Sequence, residues 1–68
     1  MQNSLKVWRA KFSLTQQDLA DKIQVSRQTI NAMEKGKYVP STVLALRLAH
    51  VFETGVEDIF NLESSDWN

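Results

Sequence analysis

Apolar residues recur every three or four positions along most of the chain, and this spacing predicts helices rather than strands. Gly36, Pro40 and Gly55 interrupt the pattern, and no segment alternates as a half-buried strand would. No internal repeat, low-complexity stretch or linker divides the 68 residues. We therefore expect a single all-α domain over residues 1–68, with short connections and, as an open alternative, a short carboxy-terminal strand or tail.

The first predicted helix covers about residues 3–12, with Leu5, Trp8 and Phe12 on its buried side. The second begins at a capping box, in which Thr15 accepts an amide of the first turn and Asp18 reaches back to Thr15. Apolar residues flank this cap with the spacing of a hydrophobic staple. The second helix is therefore expected over about residues 15–23.

The same arrangement recurs at Ser26, where Val25 and Ile30 form the staple pair. A third helix is expected over about residues 26–35, ending at Gly36 because glycine adopts the left-handed conformation without a Cβ penalty. Only Gln24 and Val25 separate the second helix from the third. Two capped helices joined by so short a turn cross steeply, which is helix-turn-helix geometry.

Ser41 caps a fourth predicted helix that reaches about Phe52, and a short fifth helix follows over about residues 56–60. The fourth helix is apolar nearly all round, so that it needs cover on every side. A domain this small cannot supply that cover alone. We therefore expect a homodimer interface over about residues 43–68, formed by Val43, Leu46, His50, Val51, Phe60, Leu62 and Trp67.

Two alternatives stay open for this region. The apolar residues of the fourth helix can instead divide between the core and scattered surface positions. The tail over residues 61–68 can pair as a strand in the dimer or can fray. His50 is expected at the surface or the interface rather than as a metal ligand.

The composition excludes several classes of protein. The chain has no cysteine and one histidine, which argues against disulfides and against a thiolate or structural zinc site. No catalytic triad, metal-ligand cluster or glycine-rich phosphate loop is visible, so we expect no enzyme, cofactor or small-molecule ligand. No apolar run approaches a membrane span and the amino terminus lacks a signal-peptide core, so a soluble cytoplasmic protein is expected.

The net charge of zero conceals a separation of charge along the chain. The first 52 residues contain all eight basic residues and three acidic ones, a balance of +5. The last sixteen contain five acidic residues and no basic one, a balance of −5. Such segregation is typical of a protein that binds DNA with one face, although a solvated acidic tail without a role in binding is the alternative.

Several blocks with fixed spacing resemble one known family. They are residues 14–20 (LTQQDLA), 25–31 (VSRQTIN), 34–38 (EKGKY), 40–41 (PS) and 57–60 (EDIF). Together they are similar to the Cro/XRE-type (λ-repressor-like) helix-turn-helix family, especially its small single-domain members. The resemblance implies a compact five-helix domain, of bacterial or phage origin, that binds operator DNA as a symmetric dimer and regulates transcription.

Two positions depart from the family pattern. Gln24 stands where the family often has glycine, and Ser13 stands where it often has glycine or asparagine. A non-glycine residue in a left-handed turn costs about 1–2 kcal/mol. This cost weakens the turn slightly and leaves the expected fold in place.

The outward face of the third helix carries the residue types that read bases. With Ile30 buried, Arg27, Gln28 and Asn31 face outward. Arginine pairs with guanine, and glutamine and asparagine pair with adenine, in the major groove. A polar face that is merely solvated is the alternative, and we expect base contacts instead because the helix follows a capped helix and a tight turn.

Phosphate contacts are expected on both sides of the third helix, which would be the recognition helix that reads the bases. The resemblance assigns Gln16 to a position that grips phosphate, and Gln17 and Ser26 are further candidates. Beyond the third helix, the candidates are Lys35, Gly36, Lys37 and Tyr38. The resemblance also implies an ion pair between Arg9 and Glu34 that positions the recognition helix.

The sequence thus predicts a regulator, expected to be a repressor, that binds a palindromic operator in double-stranded DNA as a homodimer. The alternative is a protein-interaction module of the same fold, such as an antitoxin, an anti-repressor or a polymerase-contacting factor. In that case the apolar fourth helix would be the working surface. The polar trio Arg27, Gln28 and Asn31 argues against it, because a protein-binding groove favours aromatic or aliphatic anchors.

Overall fold

The computed structural model describes all 68 residues and contains five α-helices, two paired strands and a terminal 3₁₀ turn. The elements are β1 (Gln2–Asn3), α1 (Leu5–Lys11), α2 (Gln16–Ile23), α3 (Arg27–Glu34), α4 (Thr42–Val51), α5 (Val56–Ile59), β2 (Phe60–Asn61) and the 3₁₀ turn (Ser64–Trp67). The predicted five-helix fold is confirmed, with helix bounds close to those expected.

Side-chain caps start three of the helices at the predicted residues. At α2, the Asp18 amide donates to Thr15 Oγ1 over 3.0 Å, and the Thr15 amide donates to Asp18 Oδ2 over 2.9 Å. Ser26 accepts the amide of Thr29 at the start of α3, and Ser41 accepts the amide of Leu44 at the start of α4. Each bond satisfies a donor that the first helical turn leaves without a partner.

Left-handed residues end the helices and turn the chain. Gln24 has φ +63° between α2 and α3, and Gly36 has φ +73° after α3. Ser13 follows α1 with φ +55°, and Glu53 follows α4 with φ +53°. The strain expected at Gln24 and Ser13 is therefore present, because neither residue is glycine.

A single cluster of twelve apolar residues forms the core, and no polar side chain is buried in it. α2 packs against both α3 and α4. The cluster consists of Leu5, Leu19, Ala20, Ile23, Ile30, Met33, Leu44, Leu48, Ala49, Phe52, Ile59 and Phe60. Phe12 was expected on the buried side of α1, but 38% of it is exposed. Its ring lies at the border of the core, where it packs edge-on against Phe52.

The two ends of the chain meet, which the spacing of apolar residues did not predict. Gln2 pairs with Asn61 and Asn3 with Phe60 in a short antiparallel ladder. Asn3 therefore precedes α1 instead of opening it. The carboxy-terminal strand β2 pairs with β1 of the same chain, and the 3₁₀ turn after it contacts the amino group of Met1 through Asp66, at 3.1 Å.

Phe60 is a correction to the expected dimer interface. Only 7% of this residue is exposed, because β2 holds its side chain against the core. It therefore offers almost no surface to a partner. A separate finding concerns membranes: no helix is both long enough and apolar enough to cross one.

Candidate nucleic-acid interface

α3 has one buried face and one open polar face. Ile30 and Met33 are fully buried, which holds the helix firmly against α2. On the open side, one groove is lined by Arg27, Gln28, Asn31, Ala32, Lys35 and Lys37. The structure thus brings the three candidate base-reading residues together with two of the phosphate candidates. This lining has three basic side chains and no acidic one, so it favours an anionic ligand.

An ion pair connects α1 to the end of α3. Arg9 donates through Nε to Glu34 Oε2 over 2.7 Å and through Nη2 to Oε1 over 3.3 Å. Its Nη1 donates to the Leu14 carbonyl over 3.0 Å. Both side chains are mostly buried, and the Glu34 carboxylate raises the pKa of Arg9 above its usual value. The pair therefore holds α3 to the rest of the domain by fork-shaped, charge-assisted hydrogen bonds.

Gln16 belongs to the same network. It is half-buried at the first position of α2, and its Nε2 donates to Glu34 Oε1 over 3.1 Å. Its Oε1 accepts from Asn31 Nδ2 over 3.5 Å. The candidate phosphate residue thus contacts a candidate base-reading residue. Nothing in the sequence spacing indicates this contact, because the three side chains meet only when α2 and α3 have packed.

Gln17 and Ser26 are partly engaged within the chain. Gln17 is exposed, and its Nε2 donates to Asp21 Oδ1 over 2.8 Å. The Ser26 hydroxyl accepts the Thr29 amide over 3.2 Å and lies 3.0 Å from the Thr29 hydroxyl. Ser26 therefore acts as a helix cap, and a phosphate contact there needs the same hydroxyl group to serve both purposes.

The segment after α3 presents its backbone and side chains to solvent. Gly36 has no heavy atom within 4 Å of the place where a Cβ would stand. Lys37 and Tyr38 are exposed. The Asn3 side-chain amide donates to the Met33 carbonyl over 2.7 Å, which ties the end of α3 to β1.

The charge separation along the chain is not complete in space. Glu63 lines the same groove as Lys35 and Gly36. The Met1 amino group lies 3.6 Å from Glu63 and offsets part of its charge. The acidic tail therefore reaches the edge of the candidate interface instead of lying wholly on another face.

Apart from Phe60, the expected dimer residues divide into two sets. Val43, Leu46, His50 and Val51 lie along α4 and line one groove with Lys22 and Arg47. Leu62 and Trp67 are exposed in the carboxy-terminal tail and do not line that groove. Arg47 is the charged residue in this apolar helix. Its Nη1 donates over 3.3 Å to the Ile23 carbonyl at the end of α2. No group of three potential metal-binding side chains is present.

Comparison with known proteins supports the geometry. A family model described as "Helix-turn-helix" matches residues 5–59. An uncharacterised HTH-type transcriptional regulator of Methanocaldococcus jannaschii is 54% identical over 66 residues, which are 97% of this chain and 100% of that protein. One from Archaeoglobus fulgidus is 46% identical over 97% of this chain and 93% of its own length.

A bacterial relative shows the same extent of similarity. The uncharacterised HTH-type transcriptional regulator YgzD of Bacillus subtilis is 44% identical over 97% of this chain and 100% of its own length. The similarity thus spans archaea and bacteria, and it does not favour the bacterial or phage source that was expected.

Proposed function

The chain belongs to the Cro/XRE-type helix-turn-helix family of DNA-binding transcriptional regulators, and we propose that it is a repressor that binds a palindromic operator as a homodimer. The observation that carries this proposal is the polar groove on α3. Arg27, Gln28 and Asn31 share it with two lysines, whereas Ile30 and Met33 of the same helix are buried in the core. A solvated helix face needs no such grouping of base-reading side chains.

In this proposal α3 lies in the major groove with its amino-terminal residues toward the base edges. Arg27 donates to guanine, while Gln28 and Asn31 pair with adenine, and each good pair contributes about 1–3 kcal/mol of discrimination. Lys35, Gly36, Lys37 and Tyr38 contact one stretch of backbone, and the amino end of α2 contacts another. These backbone contacts set the register in which α3 reads the bases.

The apolar surface of α4 supports a homodimer. α4 is the most apolar helix of the domain. Two of its apolar side chains, Val43 and Leu46, are nevertheless more than half exposed. A two-fold axis near this surface would carry two copies of α3 to half-sites one helical turn apart, about 34 Å. A dimer bound in this way represses by occupying the operator on the chromosome, in the cytoplasm.

Binding to duplex DNA across a salt series tests the proposal. We expect log K to fall linearly with log salt, because each phosphate contact releases a counterion. Arg27→Ala should relax sequence preference, whereas Lys37→Ala should weaken binding to all sequences about equally. No binding at low salt, or the same behaviour from the two variants, would reject the assigned roles. The exposed surface of α4 would then favour the protein-interaction module.

A further inference from the structure

Four side chains from three elements form a continuous chain of hydrogen bonds that ends at the candidate interface. Arg9 donates to Glu34, Gln16 donates to Glu34, and Asn31 donates to Gln16. The Glu34 side chain is more deeply buried than that of Arg9, and Asn31 lies at the open groove. The chain of bonds therefore runs from the interior of the domain to a side chain that faces the ligand.

The chemistry of these groups determines their direction. An ionised carboxylate only accepts hydrogen bonds, so Gln16 must turn its Nε2 toward Glu34. The carbonyl oxygen of Gln16 then faces Asn31, and an oxygen there requires a donor. Asn31 must therefore turn its Nδ2 toward Gln16. Neither amide can flip without placing oxygen against oxygen or nitrogen against nitrogen.

This orientation leaves Asn31 with a defined pair of groups for a ligand. One N–H of Nδ2 is used by Gln16, and the second N–H and the Oδ1 atom stay free. Adenine presents an acceptor, N7, beside a donor, N6, in the major groove. The two free groups of Asn31 match that order. Guanine presents two acceptors at the same edge and cannot satisfy Oδ1.

We propose that Gln16, held by Glu34, is a positioning residue that makes Asn31 selective for adenine. The inference rests on the proposed DNA-binding function and adds to it the means by which one base is chosen. Arg27 and Gln28 are exposed on the same helix without such support from α2. The preference set through Gln16 is therefore confined to the base that Asn31 reads.

Selection of bound sequences from a random duplex pool, at one fixed salt concentration, tests this inference. The full chain is compared with Asn31→Ala, Gln16→Met and Gln17→Met. Methionine has nearly the length of glutamine but forms no amide hydrogen bonds. Gln17 is the matched control for base preference rather than for affinity: it is a candidate phosphate contact, but it adjoins Gln16 on α2 and its own amide is bonded to Asp21 instead of to a base-reading residue. Gln16→Ala serves as a second variant, and circular dichroism verifies that each protein folds.

We expect the unsubstituted protein to select adenine at one position of each half-site, and Asn31→Ala to lose that selection. Gln16→Met and Gln16→Ala should lower the preference at the same position about tenfold, which is within the range of one base-reading pair. All other positions, and the Gln17→Met protein, should keep their preferences. Because a preference is a ratio between sequences, an unfolded fraction does not alter it.

Two results would overturn the inference. If Gln16→Met weakens all sequences alike and keeps the adenine preference, Gln16 contacts only phosphate. If Asn31→Ala changes no position although the unsubstituted protein selects a motif, Asn31 reads no base, while the proposed function stands. Selection of no motif by the unsubstituted protein would instead reject the proposed function, and the inference with it.

Discussion

The helix-turn-helix segment, residues 15–36, and the carboxy-terminal segment, residues 43–68, are built on different principles. In the first, two caps and two left-handed residues set the helix ends, and the outward face is polar. In the second, Val43 and Leu46 of α4 are exposed, and strand β2 pairs with β1 at the opposite end of the chain. Local signals define the first segment, whereas distant contacts define the second.

The two segments differ in how far their apolar surface is buried within the chain. The helix-turn-helix segment closes its apolar side against the core and leaves polar groups for a ligand. The carboxy-terminal segment has more apolar surface than one subunit of this size covers. Substitutions at matched positions in the two segments should therefore have unequal effects where packing is involved and equal effects where only the backbone is involved.

The largest contrast is expected between Ile30→Ala and Leu46→Ala. Ile30 is fully buried, and truncating such a residue costs about 2–5 kcal/mol, a large share of the roughly 3–10 kcal/mol that holds a domain of this size. Leu46 is 57% exposed, so its truncation should change subunit stability by only about 0.5 kcal/mol. Urea unfolding at low protein concentration measures both values.

Leu46→Ala should show its effect in association instead. A dimer that forms through α4 makes apparent stability rise with protein concentration, and Leu46→Ala should reduce that rise. Sedimentation of the same two proteins gives the oligomeric state directly. If Leu46→Ala leaves association unchanged, α4 is not the interface, and the apolar residues there are merely scattered on the surface.

The helix-turn-helix segment was the easier part to predict because its determinants lie close together in sequence. The caps at Thr15 and Ser26 and the left-handed Gly36 each depend on neighbours within about four residues, so a local pattern is enough. The same applies to the burial of Ile30 and Met33, which follows from helical periodicity.

The contacts that the sequence did not reveal all join distant residues. The pairing of Asn3 with Phe60 spans nearly the whole chain, and a two-residue strand has no periodicity to detect. Burial of Phe60 follows from that pairing, which is why its expected place at an interface was wrong. The bond from Asn31 to Gln16 likewise needs the packed α2–α3 pair, and the residue types alone indicate only polarity.

A smaller and equal effect is expected at the left-handed turns of the two segments. Gln24 has φ +63° and Glu53 has φ +53°, and both are non-glycine residues. Gln24→Gly and Glu53→Gly should each raise stability by about 0.5 kcal/mol, since relief of the turn exceeds the added freedom of the unfolded chain. This gain corresponds to about 2–4 °C in Tm.

Thermal unfolding at one protein concentration checks both turn substitutions, with Gln24→Ala and Glu53→Ala as controls that retain the strain. A gain at Gln24 without one at Glu53 would mean that the carboxy-terminal turn is shaped by contacts of the Glu53 side chain. The two segments would then differ in their turns as well as in their outer faces.

The smallest effect is expected from the two aspartates that cap α2 and α5. Hydrogen bonds from the backbone and side chain of Thr15 lower the pKa of Asp18, and those from the Thr54 hydroxyl and the Gly55 amide lower the pKa of Asp58. Because each folded pKa lies below the unfolded value of about 3.9, each carboxylate stabilises the fold above that pH. That stabilisation is lost as the pH falls through the folded pKa.

Asp18→Asn and Asp58→Asn should therefore each flatten the fall in Tm between about pH 5 and pH 2, without removing it. Asp66, whose pKa is also lowered, titrates in all three proteins and cancels from the comparison. The two variants should respond alike, because each carboxylate accepts a backbone amide at the start of its helix, from Thr15 for Asp18 and from Gly55 for Asp58. A response from Asp18→Asn alone would show that α5 is capped only weakly in solution, and that the carboxy-terminal segment depends on packing even at its helix ends.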